Sequence, residues 1–121
     1  MSYFYSVRGW LEASPSDFPK IVSTITALRE RWQSHDKERL YMKGWCWSDE
    51  PINWTRYLFY GADITEEGLT LLCDTIHEIA LLKVEISGYF HARGEDGENI
   101  IVYKVDNDVL TEERVSARGS A

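Results

Sequence analysis

The chain has little cysteine, little proline and no long apolar run, and each shortage closes off a class of protein. Its two cysteines, Cys46 and Cys73, stand far apart and fit no metal-binding or redox spacing. They read as buried free thiols in a reducing cytoplasm. No apolar stretch approaches the roughly 20 residues that a bilayer-spanning helix needs, so no membrane partner is expected. The opening MSYFYSVRGWLEA has neither a basic region nor an apolar stretch behind it, so no signal peptide is expected and the expected location is the cytoplasm. Glycine-rich phosphate loops are missing. The segment Gly94-Glu95-Asp96-Gly97 lacks the spaced ligands of a calcium loop. Neither a metal nor a cofactor is therefore expected.

Aromatics are what the chain has in plenty, with 5 Trp and 7 Tyr among 121 residues. Such side chains bring large contact area, and Trp and Tyr suit places where one edge stays wet. Charge is uneven. Residues 1–60 hold 8 Lys/Arg against 7 Asp/Glu, whereas residues 61–121 hold 5 against 13, within a net charge of −7. An acidic half repels nucleic acid and membrane surfaces and steers a basic partner.

Hydrophobic periodicity gives the order of elements. Residues 3–12 alternate as a strand, with Tyr5, Val7, Gly9 and Leu11 on one side and Ser6, Arg8, Trp10 and Glu12 on the other. Ser16 reads as the N-cap of a helix whose buried stripe is Phe18, Ile21, Val22, Ile25, Leu28 and Trp32. Two strands follow over 39–47 and 53–62, with a polar turn between them. A second helix opens at Thr65, with Glu66 and Glu67 in its first turn and a stripe of Leu69, Leu72, Cys73, Ile76, Ile79 and Ala80. Strands over 83–92 and 100–105, joined by a glycine-rich hairpin turn, complete the pattern. Residues 1–110 thus make one α+β domain, and 111–121, poor in apolar residues, read as a flexible tail.

The order β-α-β-β-α-β plus a last strand predicts a ferredoxin-like split βαβ fold, with two helices on one face of an antiparallel sheet. If glycines and aliphatics face the helices, Tyr5, Val7, Leu11, Leu40, Met42, Cys46, Tyr57, Phe59, Val84, Ile86 and Phe90 belong to the core. The open face then collects Arg8, Trp10, Tyr41, Lys43, Trp45, Trp47, Trp54, Arg56, Tyr60, Tyr89 and His91. A soluble monomer seldom leaves that much apolar surface bare. Trp, Tyr and Arg are the residue types enriched at binding hot spots. The aromatic partner-binding set is accordingly Trp10, Trp45, Trp47, Tyr60, Tyr89 and His91, facing another protein or a second copy of the chain; the chain's own tail or last strand is the alternative covering.

Of the three histidines, His35 falls in a polar loop and His77 off the buried stripe. His91 lies on the predicted open face, where Glu12 or Glu85 would be its acid/base partner. No nucleophile or metal set accompanies it, so catalysis is not expected. A small dimeric ferredoxin-like enzyme or ligand-binding protein with a site near His91 is the alternative from another class. An RNA-binding module, stacking bases on the open sheet, is a weaker one, because the net charge opposes it.

The segments Tyr5-Ser6-Val7-Arg8-Gly9-Trp10, Lys43-Gly44-Trp45-Cys46-Trp47 and Tyr57-Leu58-Phe59-Tyr60-Gly61-Ala62-Asp63 resemble the small acidic immunity proteins encoded beside bacterial contact-dependent inhibition and other polymorphic toxins. The likeness lies in size, charge and compactness over most of the chain, and it assigns no residue a role. It implies one-to-one neutralisation of a cognate toxin domain, often a basic nuclease. The acidic residues Glu95, Asp96, Glu98, Asp106 and Asp108 are the expected contacts, since carboxylates opposite Lys and Arg give fast, salt-sensitive association.

Overall fold

The computed structural model describes residues 2–116. Its elements run β1 (Tyr5–Ala13), α1 (Phe18–Arg31), α2 (Asp36–Met42), β2 (Trp45–Trp47), β3 (Arg56–Ile64), α3 (Glu66–Ala80), β4 (Ser87–Gly94), β5 (Asn99–Asp106) and β6 (Val109–Ser116). The strands form one six-stranded sheet in the order β2-β3-β1-β4-β5-β6, antiparallel at every step.

One face of this sheet supplies the core. Its inward rows are Tyr5 with Ile64, Val7 between Ala62 and Ala92, Gly9 between Tyr60 and Phe90, and Leu11 between Leu58 and Gly88. The stripes of α1 (Phe18, Ile21, Ile25, Leu28) and α3 (Leu69, Leu72, Ile76, Ile79) are buried in the same cluster. Gly9 is small for a reason of packing: a Cβ there would stand 2.4 Å from the Phe90 ring. Trp45 meets both Tyr60 and Phe90 in the same cluster, with ring centroids 5.2 and 5.9 Å away in edge-to-face geometry.

Three expectations need correction. Residues 36–42 form a third helix, not the start of a strand. Asp36 and Glu38 sit in its first turn and Arg39 in its last, as the helix dipole favours, and it buries Tyr41 and Met42 while Leu40 stays exposed. The N-cap of α1 is Asp17 rather than Ser16. Residues 111–116 are not a flexible tail: they belong to β6, in register with β5 from Asp106↔Val109 to Asn99↔Ser116. Residues 117–121 of the expected tail lie outside the described residues.

The turn into β6 consists of Asn107 and Asp108, both at positive φ (48° and 67°). That pair of angles is what a two-residue type I′ hairpin demands, and Asn and Asp tolerate it better than most side chains. The Asp108 carboxylate also accepts the Ile86 backbone N–H at 2.8 Å, fastening the turn to the segment before β4. On the helix side of β6, Arg114 donates to Glu66 at the start of α3 (2.9 Å) and to Glu112 (2.6 Å). Leu110 packs against the core, and the polar stretch from Thr111 to Arg114 is held by its ladder and by charge.

Candidate functional site

The uncovered face is ordered by the ladder registers. Phe59 on β3 stands opposite Trp10 on β1, which stands opposite Tyr89 on β4; Cys46 of β2 flanks Phe59, and Lys104 of β5 flanks Tyr89. One row along, Gly61, Arg8, His91 and Val102 follow the same order, and one further come Asp63, Ser6, Arg93 and Ile100. The missing side chain at Gly61 leaves a dip, because the atom nearest a Cβ there would be 4.0 Å off. The result is a trough of about 800 Å³ with Arg8, Trp10, Cys46, Phe59, Gly61, Tyr89, His91 and Arg93 along its walls and floor. Trp10 and Phe59 are 39% and 48% exposed, and the Trp10 and Tyr89 ring centroids lie 5.7 Å apart.

The structure brings together only part of the aromatic set expected from sequence. Trp10, Tyr89 and His91 line the trough. Trp45 does not: it is buried on the helix side at 2% exposure. Tyr60 reaches the trough floor but is only 4% exposed, and its hydroxyl donates to the Tyr41 carbonyl at 2.8 Å. Burial pushes the Tyr60 phenol pKa well up. Trp47 is half-buried against the core, with the Arg29 guanidinium 5.1 Å above its ring. Tyr41 is buried in α2, Lys43 caps that helix, Trp54 is exposed in the loop before β3, and Arg56 lies over the Phe18 ring at 3.9 Å.

In their place Cys46, Tyr57 and Phe59, expected in the core, are exposed. The inversion is a phase slip of one residue in β2 and β3, which sends every side chain to the other face. Trp45-Cys46-Trp47 and Tyr57-Leu58-Phe59-Tyr60 contain no charged member to mark the wet side. Opposing β1, whose Arg8 and Glu12 fix its own phase, supplies the missing information, but only once the register is known.

The five acidic residues are split. Glu95, Asp96 and Glu98 occupy the β4–β5 turn, whereas Asp106 and Asp108 sit at the β5–β6 turn at the opposite end of the sheet. The eight residues of β5 separate the two groups by about 25 Å at roughly 3.3 Å per residue. Several also have local tasks. Asp96 accepts the Tyr3 hydroxyl at 2.5 Å and the Glu98 N–H at 2.9 Å, and Glu95 accepts the Phe4 N–H at 3.3 Å.

His91 stands opposite Arg8 and Val102, not a carboxylate. Glu12 pairs with Ser87, four residues along from the Arg8–His91 pair, and Glu85 precedes β4. Among the described residues no group of three or more His, Cys, Asp or Glu side chains could hold a metal ion, and no helix is long and apolar enough to cross a membrane.

No protein-family model and no curated protein matches the chain. Among solved structures it is similar to the non-canonical dimeric guanylyl cyclase domain of the RhoGC fusion protein from the aquatic fungus Blastocladiella emersonii. The identity is 14% and the TM-score 0.30, over 96% of this chain and 70% of that one. Likeness at that level says nothing of function.

Proposed function

We propose that this chain is a partner-binding protein that docks a cognate protein on the open face of its sheet, and that the partner is a toxin domain, neutralised in the manner of bacterial immunity proteins. One observation carries the reading: Phe59, Trp10 and Tyr89 form a continuous aromatic row on a face that no helix covers, beside a trough of about 800 Å³. Aromatic residues flanked by arginine are the composition of interface hot spots, and a bare apolar patch of this kind marks an interaction surface. The acidic turns at the two ends of the sheet flank the face and suit a partner with basic surroundings. We read the order β2-β3-β1-β4 as the ferredoxin-like split βαβ arrangement, extended at one edge by β5 and β6.

The test is complex formation with the product of the adjacent gene, followed by size-exclusion chromatography with light scattering. A one-to-one complex that protects the toxin's target supports the reading. Self-association of the chain through this face, or absence of any complex, removes it.

A further inference from the structure

The trough has the opposite sign from the protein as a whole, although Glu12, Asp63 and Glu113 lie on the same face outside it. No acidic side chain lines the trough, whereas Arg8, Arg93 and His91 all do. The two arginines are also unusual among the described residues. Arg29 donates to the Met42 and Trp45 carbonyls, Arg31 pairs with Glu78, Arg39 with Asp36, Arg56 donates to the Ser48 carbonyl, and Arg114 holds Glu66 and Glu112. Arg8 and Arg93 alone have neither a hydrogen bond nor an ion pair within the described chain, though both are exposed.

The ladder sets them close. Arg8 opposes His91, and Arg93 is two residues beyond His91 on the same face of the same strand. Such diagonal neighbours are about 7–8 Å apart at the backbone, within reach of one another's long side chains. Two cations and a ring N–H donor beside an aromatic wall call for an anion with an apolar neighbour. An arginine fork matches a carboxylate or a phosphate, and a net charge of −7 opposes the phosphates of a nucleic acid.

We infer that the group set into this trough is a carboxylate of the partner protein, carried next to an aromatic or aliphatic side chain. The inference rests on the partner-binding reading above and gives the sign of the partner's centre. The partner then has an acidic middle, against Arg8 and Arg93, within a basic surround that faces the acidic turns. A nuclease whose metal-binding carboxylates are ringed by phosphate-binding Lys and Arg has that charge order.

The isolated, isotope-labelled protein tests this with two defined probes, the blocked tripeptides Glu-Phe-Glu and Gln-Phe-Gln, at low salt. The Nε–H signals of Arg8 and Arg93 and the Trp10 indole N–H should move together with the acidic peptide. Its affinity should exceed that of the neutral peptide about fivefold, the scale of two partly exposed charge pairs. The preference should vanish in the Arg8→Gln/Arg93→Gln protein, whose fold depends on neither side chain. Equal binding of both peptides, no movement with either, or equal movement of every arginine signal overturns the inference. A protein that prefers the acidic peptide but forms no complex with the adjacent gene's product overturns the functional reading alone. A complex that needs Trp10 while both peptides bind equally overturns this inference alone.

Discussion

Trp45 and Tyr60 face each other across β2 and β3 with ring centroids 5.2 Å apart, on the side of the sheet that the helices cover. Trp10, one strand further in, points to the other side and is 39% exposed. Two tryptophans that look interchangeable in the sequence thus have different tasks. Trp45→Ala should lower stability by about 3–5 kcal/mol, the usual cost of emptying a buried aromatic site. Trp10→Ala should leave the thermal midpoint nearly unchanged, and chemical denaturation of both variants checks the contrast.

Two glycines divide in the same way. A methyl group at Gly9 would stand 2.4 Å from the Phe90 ring and 2.2 Å from the Tyr89 carbonyl, whereas at Gly61 the nearest atom is 4.0 Å away. Gly9→Ala should therefore cost about 1–3 kcal/mol or more through overpacking. Gly61→Ala should be near neutral in stability. Gly61→Leu, which fills the trough floor, should weaken partner binding while the melting curve stays in place.

The Arg114 guanidinium holds the Glu66 carboxyl below its usual pKa, and donation by the Tyr5 hydroxyl adds to this. A lowered folded-state value means that the unfolded chain takes up the proton first. The pair's contribution is then fully present above the ordinary glutamate value of about 4.3 and is lost as pH falls through the lower folded value. Both side chains are about half exposed, at 50% and 56%, so solvent screening limits the effect to the order of 0.5 kcal/mol. Arg114→Ala should flatten the acid limb of a stability–pH curve by that small amount. Deleting residues 111–121 should do more, because it bares the β5 edge to pairing with other chains; light scattering should register the association.

The two thiols should react very differently. Burial pushes the Cys73 pKa up to about 11, which keeps the thiolate scarce at neutral pH, while Cys46 is exposed on the trough wall. A thiol reagent should label Cys46 first and Cys73 only on unfolding. Bound partner should slow the labelling of Cys46. Peptide mapping by mass spectrometry distinguishes the two sites.

How much of this was legible depends on whether each segment carries a polar marker. In β1, Ser6, Arg8 and Glu12 fix the phase, and Trp10 lies on the face that they predict. In α1 and α3 the apolar stripes recur at helical spacing, and the buried residues are largely those expected. Where every position is apolar, as in Trp45-Cys46-Trp47 and Tyr57-Leu58-Phe59-Tyr60, alternation has a period but no phase, and Trp45, Trp47 and Tyr60 face the helices instead of the open side. The strand β6 is illegible for the reverse reason: Thr111 to Arg114 are all polar, so no alternation marks them. Arg93, hidden in what reads as the start of a loop, joins the site because β4 runs two residues further than its apolar pattern.

Docking on the open face is tested most directly by the affinity of Trp10→Ala for the product of the adjacent gene, in calorimetric titration beside the unaltered protein. Docking on that face predicts a loss of about 30-fold or more, the scale of a hot-spot residue, with the fold intact by circular dichroism. Full affinity in the well-folded variant would contradict it and move the interface off the sheet.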